Sequence, residues 1–221
     1  MEYLTHSLIE KSDALEIVQK LKNETSSWQD GKKTAGSHAA KIKQNFQLDR
    51  KSPISIENKD LIVNKIISNP LLKSFTLPKL IHGVMFTKSL AGDGYGIHID
   101  NPYMPTGRSD LSFTLFLNEP KEYQGGELCI QTINKTEKIK LSAGEMIIYP
   151  STQLHSVAEV KQGERFVCVG WVQSYVQNNE DRNFLFGLDA GAKGLLAKHG
   201  RSDELDLIFQ AYSNLLRRLG E

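Results

Sequence analysis

The chain has 221 residues, 39% hydrophobic and 24% charged, a balance that suits a single folded unit, or one with a small appendage, able to bury a sizeable core. Lys and Arg number 27 against 26 for Asp and Glu, so the net charge of +1 gives no bulk pull towards nucleic acid or an anionic membrane, and neither is expected as a partner. Apolar runs such as residues 166–172 are too short to span a bilayer, and the first residues show no basic flank ahead of an apolar run. Two cysteines, Cys129 and Cys168, cannot make a disulfide framework and fit a reducing compartment, so a cytoplasmic protein is expected.

In chain order, residues 8 to 75 read as mainly helical. Ser12 is placed to cap a segment in which Ala14, Leu15, Val18 and Leu21 share a face. A second segment around Leu61, Ile62, Ile66 and Ile67 runs into the stop signal Asn69-Pro70. Between them, Gly31 to Ser37 reads as a loop with Trp28 beside it, and the lysines up to Lys43 read as solvated. From about 78 to 176 the period becomes two. Leu111–Leu117, Glu127–Thr132, Glu137–Leu141, Glu145–Tyr149, His155–Val160 and Arg165–Val172 are predicted strands, separated by turns at Gly125-Gly126, Ala143-Gly144, Pro150-Ser151 and Gln162-Gly163. Short strands without intervening helices predict a sandwich or barrel rather than βαβ units. After about 178 the helical period returns, with Ser202 as a cap and Leu205, Ile208, Tyr212, Leu215 and Leu219 on one stripe.

His98-Ile99-Asp100 carries the first chemical signal. Residues i and i+2 of an extended chain point to the same side, so an imidazole and a carboxylate converge. His155, at the start of a predicted strand, is a third candidate ligand. Two His and one carboxylate with open positions left over are the donor set of non-haem Fe(II) oxygenases, whereas zinc more often takes three His or Cys ligands. Taken alone, the triplet also fits a surface turn, since Asp-Gly-Tyr-Gly and Asn-Pro flank it. Arg165 begins an otherwise apolar strand, ten residues after His155, and a guanidinium there needs an anion. An internal pair with Glu145 or Glu127 is the competing expectation. His6, His38, His82 and His199 have no partner spacing and read as surface or capping residues, and Trp171 reads as core. His38 and Trp28 flank the loop placed to close over the site.

Together, His98-x-Asp100, His155 and Arg165 resemble the ligand pattern of double-stranded β-helix Fe(II)/2-oxoglutarate oxygenases, and more narrowly the bacterial PKHD-type hydroxylases, relatives of the prolyl 4-hydroxylase catalytic domain. Trp28-x-Asp30-Gly31, Thr34-Ala35-Gly36, Lys43-x-Asn45, Tyr95-Gly96, Asp110-Leu111-Ser112, Thr114–Leu117, Tyr123-x-Gly125-Gly126-Glu127-Leu128, Ala143-Gly144, Tyr149-Pro150-Ser151 and Trp171-x-Gln173-Ser174 extend that resemblance along nearly the whole chain. It implies a mainly β, α+β architecture: a jelly roll over about 78–177, a helical N-terminal support over about 1–77 and a helical tail over 178–221. It also implies Fe(II) on His98, Asp100 and His155, the distal carboxylate of 2-oxoglutarate on Arg165, O2 as the oxidant and L-ascorbate as a candidate reductant. A hydroxylated peptidyl or prolyl target is implied in the same way. One position departs from the pattern. Where family members often carry Arg-Tyr ahead of the first metal histidine, this chain has Lys88-Ser89, leaving Tyr95 as the candidate second cosubstrate contact. A cupin-like metal enzyme without 2-oxoglutarate and a non-catalytic binding protein on the same fold are the competing functions. The tail is expected to pack on the core or on a second copy in a homodimer.

Overall fold

The computed structural model describes residues 3–34 and 39–221. Thr34-Ala35-Gly36 and His38 therefore lie partly or wholly outside the described residues. The first strand, β1 (Leu4–Ser7), leads into helix α1 (Lys11–Asn23), followed by β2 (Trp28–Asp30), β3 (Lys43–Gln44) and β4 (Phe46–Leu48). Helices α2 (Pro53–Ser68) and α3 (Pro70–Thr76) come next. The β-rich stretch then runs through β5 (Pro78–Ser89), β6 (Gly94–His98), the small hairpin β7 (Tyr103–Met104) and β8 (Gly107–Arg108), and β9 (Leu111–Phe116). It continues with β10 (Tyr123–Gly125), β11 (Leu128–Gln131), β12 (Thr136–Ile139), β13 (Glu145–Pro150), β14 (His155–Val157), β15 (Val160–Gly163) and β16 (Arg165–Ser174). Helices α4 (Asn179–His199) and α5 (Asp203–Leu219) close the chain.

Antiparallel pairing builds a seven-stranded sheet ordered β1-β13-β9-β16-β5-β4-β2 and a five-stranded sheet ordered β12-β11-β14-β6-β3. The sheets face one another. Phe116, Ile147, Tyr149 and Val167 of the larger sheet form one apolar cluster with Leu128, Ile130 and Ile139 of the smaller. The larger sheet's outer face packs through Phe86, Phe113, Leu115, Ile148, Phe166 and Cys168 onto Ile17, Leu21, Ile62, Ile66 and Leu72 of the helices. Strand alternation thus splits β16 cleanly: Phe166, Cys168 and Val172 face the helices, while Arg165, Val167 and Val169 face the space between the sheets. The fold is a mainly β, α+β sandwich of the jelly-roll kind with flanking helices, as expected.

Several local expectations are corrected. The N-terminal region contributes four short strands as well as helices. Ser12 lies within the first turn of α1, its hydroxyl donating to Asp13, and Glu10 precedes the helix without a side-chain cap. Asn69 ends α2 and caps α3 by accepting from the backbone N–H groups of Leu71 and Leu72. The predicted strand His155–Val160 is two strands, β14 ending at Val157 and β15 beginning at Val160, with a register shift against β6 inside β14 itself. Ser202 does cap α5, but the packed stripe is Leu205, Tyr212, Leu216 and Leu219. Leu215 points outward. The tail rests on its own chain: Tyr212, Leu216 and Leu219 cover Leu77, Val176 and Leu185, Ser74 donates to Asp189 at 2.6 Å, and Glu221 meets Arg108 at 2.7 Å. Both cysteines are buried thiols. Among the described residues, no helix is long and apolar enough to cross a membrane.

Gly83 shows how the frame sets the interior. It sits in β5 at φ +64°, opposite the irregularity between Val169 and Trp171, and a Cβ there would lie 2.5 Å from the indole of Trp171. Gly83→Ala is expected to lower stability by about 2 kcal/mol, since strain and overpacking add, and to displace the Trp171 ring. Thermal denaturation and the intrinsic fluorescence maximum check both effects.

Candidate active site

At the open end of the sandwich the apolar filling gives way to a polar chamber. His98 ends β6 and His155 begins β14, and the antiparallel ladder sets them directly opposite one another. Their ring centroids are 4.2 Å apart. Asp100 follows two residues after His98, with Oδ2 3.9 Å from His155 Nε2. One donor atom from each of the three lies within 4.8 Å of the others. Both imidazoles are oriented from behind. His98 Nδ1 contacts the Gly96 carbonyl at 2.8 Å and His155 Nδ1 the Gln153 carbonyl at 3.0 Å. A carbonyl only accepts, so Nδ1 carries the proton in each ring and Nε2 presents its lone pair. The Asp100 carboxylate is fixed likewise. Its Oδ2 accepts from Ser112 Oγ at 2.5 Å and from Trp171 Nε1 at 2.9 Å, and Ser151 donates in turn to Ser112 at 2.7 Å. Oδ1 has no protein donor among the described residues. Two neutral imidazole nitrogens and one carboxylate oxygen, converging and held, fit an octahedral divalent metal with positions to spare.

Electrostatics favour the ligand form of His98. Burial, reinforced by the neighbouring His155, pushes its pKa down from 6.5 to about 4. The folded chain therefore binds this proton more weakly than the unfolded chain. Between about pH 6.5 and 4 the unfolded state holds more protons, so the metal-free chain loses stability as pH falls through that window. Melting curves of chelator-treated protein are expected to show this decline, and His98→Asn is expected to flatten it. An equal decline in the variant would assign the loss to other groups.

Arg165, the first residue of β16, stands in the same chamber and is only 3% exposed. Its guanidinium lies 5.6 Å from the Phe116 ring centre. Neither Glu145 nor Glu127 pairs with it, contrary to the competing expectation. Glu145 accepts from the Ser142 backbone at 2.8 Å, and among the described residues no carboxylate comes within ion-pair range of Arg165. Arg165 Nε and the Tyr123 hydroxyl beside it are buried without a hydrogen-bond partner. Burial, the largest influence, pulls the guanidinium pKa below its ordinary value. The stem is accommodated by Gly126, at φ +68°, where a Cβ would come within 2.9 Å of Arg165 Cδ. The Gly-Gly turn read from the sequence is thus also a clearance for this side chain. A buried cation with an unsatisfied Nε beside the Tyr123 hydroxyl fits the carboxylate of an incoming acid.

Ser89 is the ladder partner of Arg165 and lines the chamber with Thr87 and Thr114. Tyr95 stacks on His98, centroids 3.6 Å apart, and lines the chamber too; burial raises its hydroxyl pKa to about 12. Three sequence readings are corrected here. Lys43 is not a solvated loop residue: it is 7% exposed, lies 5.1 Å from the Tyr95 ring centre and lines the chamber. Burial is the main cause lowering its pKa to about 8. Trp171 is not simply core, because its N–H holds Asp100. His82 is neither surface nor cap: it is buried, contacts Thr106 and the Arg108 carbonyl, and stacks on Trp171. Trp28 packs on Phe166 and Lys88. The only sequence trace of these roles was the family-like spacing Lys43-x-Asn45 and Trp171-x-Gln173.

Comparison with known proteins agrees with this geometry. Residues 84–173 match the family model described as the 2OG-Fe(II) oxygenase superfamily. A PKHD-type hydroxylase of Prochlorococcus marinus strain NATL1A is 85% identical over 221 residues, all of both chains. Another, of strain MIT 9211, is 62% identical over 221 residues, again all of both chains. Among solved structures, a Pseudomonas putida prolyl-4-hydroxylase superposes with a TM-score of 0.57 at 16% identity, covering 78% of this chain and 92% of that one. A Trichoplax adhaerens prolyl hydroxylase, solved with a hypoxia inducible factor peptide fragment, gives 0.58 at 17% identity over 83% and 86%. At such identities these two speak to the fold alone. The chain belongs to the PKHD-type hydroxylases of the 2OG-Fe(II) oxygenase superfamily.

Proposed function

We propose that the protein is a 2-oxoglutarate-dependent dioxygenase that hydroxylates an unactivated C–H bond and releases succinate and CO2. The observation that carries this reading is Arg165: a buried guanidinium with no carboxylate partner among the described residues and an unsatisfied Nε, in the same chamber as a two-His, one-carboxylate cluster. A cupin-like enzyme working without 2-oxoglutarate would have no use for it. His98, Asp100 and His155 would hold Fe(II), and Arg165, with the Tyr123 hydroxyl, would hold the distal carboxylate of 2-oxoglutarate. When bound, Fe(II) with 2-oxoglutarate supplies O2 activation and the oxidising power for the C–H bond. The chain's own residues bind, orient and exclude water. The Gly96 and Gln153 carbonyls keep both imidazoles in the ligand tautomer. Ser112 and Trp171 hold the carboxylate, and Tyr95, Val167 and Val169 wall the chamber. Ser89 is too short to replace a tyrosine hydroxyl, so Tyr95 is the candidate second cosubstrate contact.

A peptidyl or prolyl target is the substrate class suggested by the structural neighbours, and small molecules rather than nucleic acid or membrane are the expected partners. The two buried free thiols suit a cytoplasmic setting. The outward-facing Leu207, Leu215 and Phe184 of the tail are proposed as a homodimer contact; a monomer by sedimentation at micromolar concentration would discard it. The enzymatic reading is tested by incubating the chain with Fe(II), 2-oxoglutarate, O2 and L-ascorbate. Succinate formation is expected, together with a gain of one oxygen atom on a component of a peptide and metabolite panel. No succinate above the chelated control would overturn it.

A further inference from the structure

A second cleft, of about 420 Å³, opens beside the chamber. The two share Lys43, Met85, Tyr95, His98, Asp100 and Trp171 as a common wall, but Arg165 and His155 line the chamber alone, and Arg50 and Tyr103 line the cleft alone. The cleft therefore reaches the proposed metal position without reaching the cosubstrate anchor. It is the space left for a primary substrate.

Its charge is one-sided. Lys33, Lys43 and Arg50 line it, and Asp100 is the single carboxylate among its described lining residues. That carboxylate is already held by Ser112 and Trp171 and would be neutralised further by a bound divalent metal. Arg50 is presented by a fixed turn between β4 and α2. The Asp49 side chain accepts from the Lys51 N–H at 2.9 Å, the Asp49 carbonyl accepts from Ser52, and Asp49 N–H bonds to the Ser27 carbonyl. The hydrogen-bond contact of the Arg50 guanidinium among the described residues is the Met85 sulfur at 4.0 Å, a weak acceptor that leaves the rest of its planar fork available. Arg50 is exposed at the mouth of the cleft and Lys43 is buried in its wall, and the Arg50 charge adds to the burial that lowers the Lys43 pKa, so an anion in the cleft is attracted by both. The cleft is also lined by open, largely apolar side chains: Ile99 is 53% exposed and Tyr103 74% exposed, and Met104 lines it too.

We propose that this cleft takes the primary substrate by an anionic group, a carboxylate or a phosphate, held by Arg50 and Lys43, with an apolar body laid against Ile99 and Tyr103. The proposal rests on the chamber being the 2-oxoglutarate site. Arg50 is its diagnostic residue, because Lys43 borders both spaces and Arg50 only one.

The test uses the full chain loaded with redox-inert Zn(II) and saturated with 2-oxoglutarate, titrated by calorimetry with 3-phenylpropanoate, its neutral isostere 3-phenylpropanamide, and 2-phenylethyl phosphate. At least one anion is expected to bind about ten-fold tighter than the amide, and the better of the two identifies the substrate's group. Arg50→Gln is expected to fold like the parent, its residue being exposed, and to erase that preference. Lys43→Gln is expected to reduce it as well. Equal binding of amide and anions in the parent overturns the proposal. So does a preference retained in Arg50→Gln. Failure of the parent to take up 2-oxoglutarate is read separately and overturns the chamber reading. The same probes on the Zn(II) form then decide the cleft by themselves.

Discussion

Replacing His155 by alanine is expected to abolish turnover and to weaken Fe(II) binding by more than about 100-fold, since loss of a partner merely behind a ligand already costs 10–100-fold. The variant removes one of three converging donors, and no other His, Cys, Asp or Glu among the described residues joins the cluster to replace it. The fold is expected to survive. His155 lines a chamber rather than filling a core, and the register of β14 with β6 and β11 rests on backbone hydrogen bonds. The loss should also be visible in His98, whose low pKa owes part of its depression to His155. Its proton affinity is expected to rise in the variant, as histidine NMR resonances in the metal-free form would report. Metal analysis after dialysis against Fe(II) or Mn(II) checks the main effect. Full occupancy with unchanged succinate formation would remove His155 from the ligand set.

The β-core was legible because its strands alternate and its turns carry Gly, Pro or Asn. The pieces that were not legible are those whose identity depends on a neighbour. Strands β1 to β4 run only two to four residues, too short for any period to register, and they form by pairing with β13, β6 and β5. The helical stripe of α5 drifted by one residue, from Leu215 to Leu216, because both positions are apolar and only the surface beneath chooses between them. The candidate site divides the same way. His98 and Asp100 converge by strand geometry within one segment, which a sequence displays. The apposition of His98 and His155 is a cross-strand event. Lys43, His82 and Trp171 were misread because their partners, Tyr95, Thr106 and Asp100, lie on other strands or loops. The expected Arg165 pair with a glutamate failed for a specific reason: Glu145 is satisfied by its own turn, so the buried guanidinium is left for a ligand.

That vacancy among its donors leads to the second large effect. Arg165→Met is expected to weaken 2-oxoglutarate binding by about ten- to hundred-fold, the range set by a charge-assisted contact of about 1.5–3 kcal/mol. Metal binding is expected to persist, because Arg165 touches none of the three donors. Stability makes the experiment discriminating. If Arg165 were one half of a structural ion pair, its removal would strand a buried carboxylate and cost about 3–5 kcal/mol. No such partner exists among the described residues, and the burial that lowers the guanidinium pKa is offset only in part by neighbours such as Tyr123. A methionine of similar length would replace that charge with an apolar body against Phe116 and Gly126. The metal-loaded variant is therefore expected to melt no lower than the parent while losing the rise in melting temperature that 2-oxoglutarate confers on it. Ligand-dependent melts and a calorimetric titration read the two quantities independently. A lower melting temperature with 2-oxoglutarate affinity intact would return Arg165 to a structural role, whereas equal stability with lost affinity places the cosubstrate carboxylate on the strand that begins at this residue.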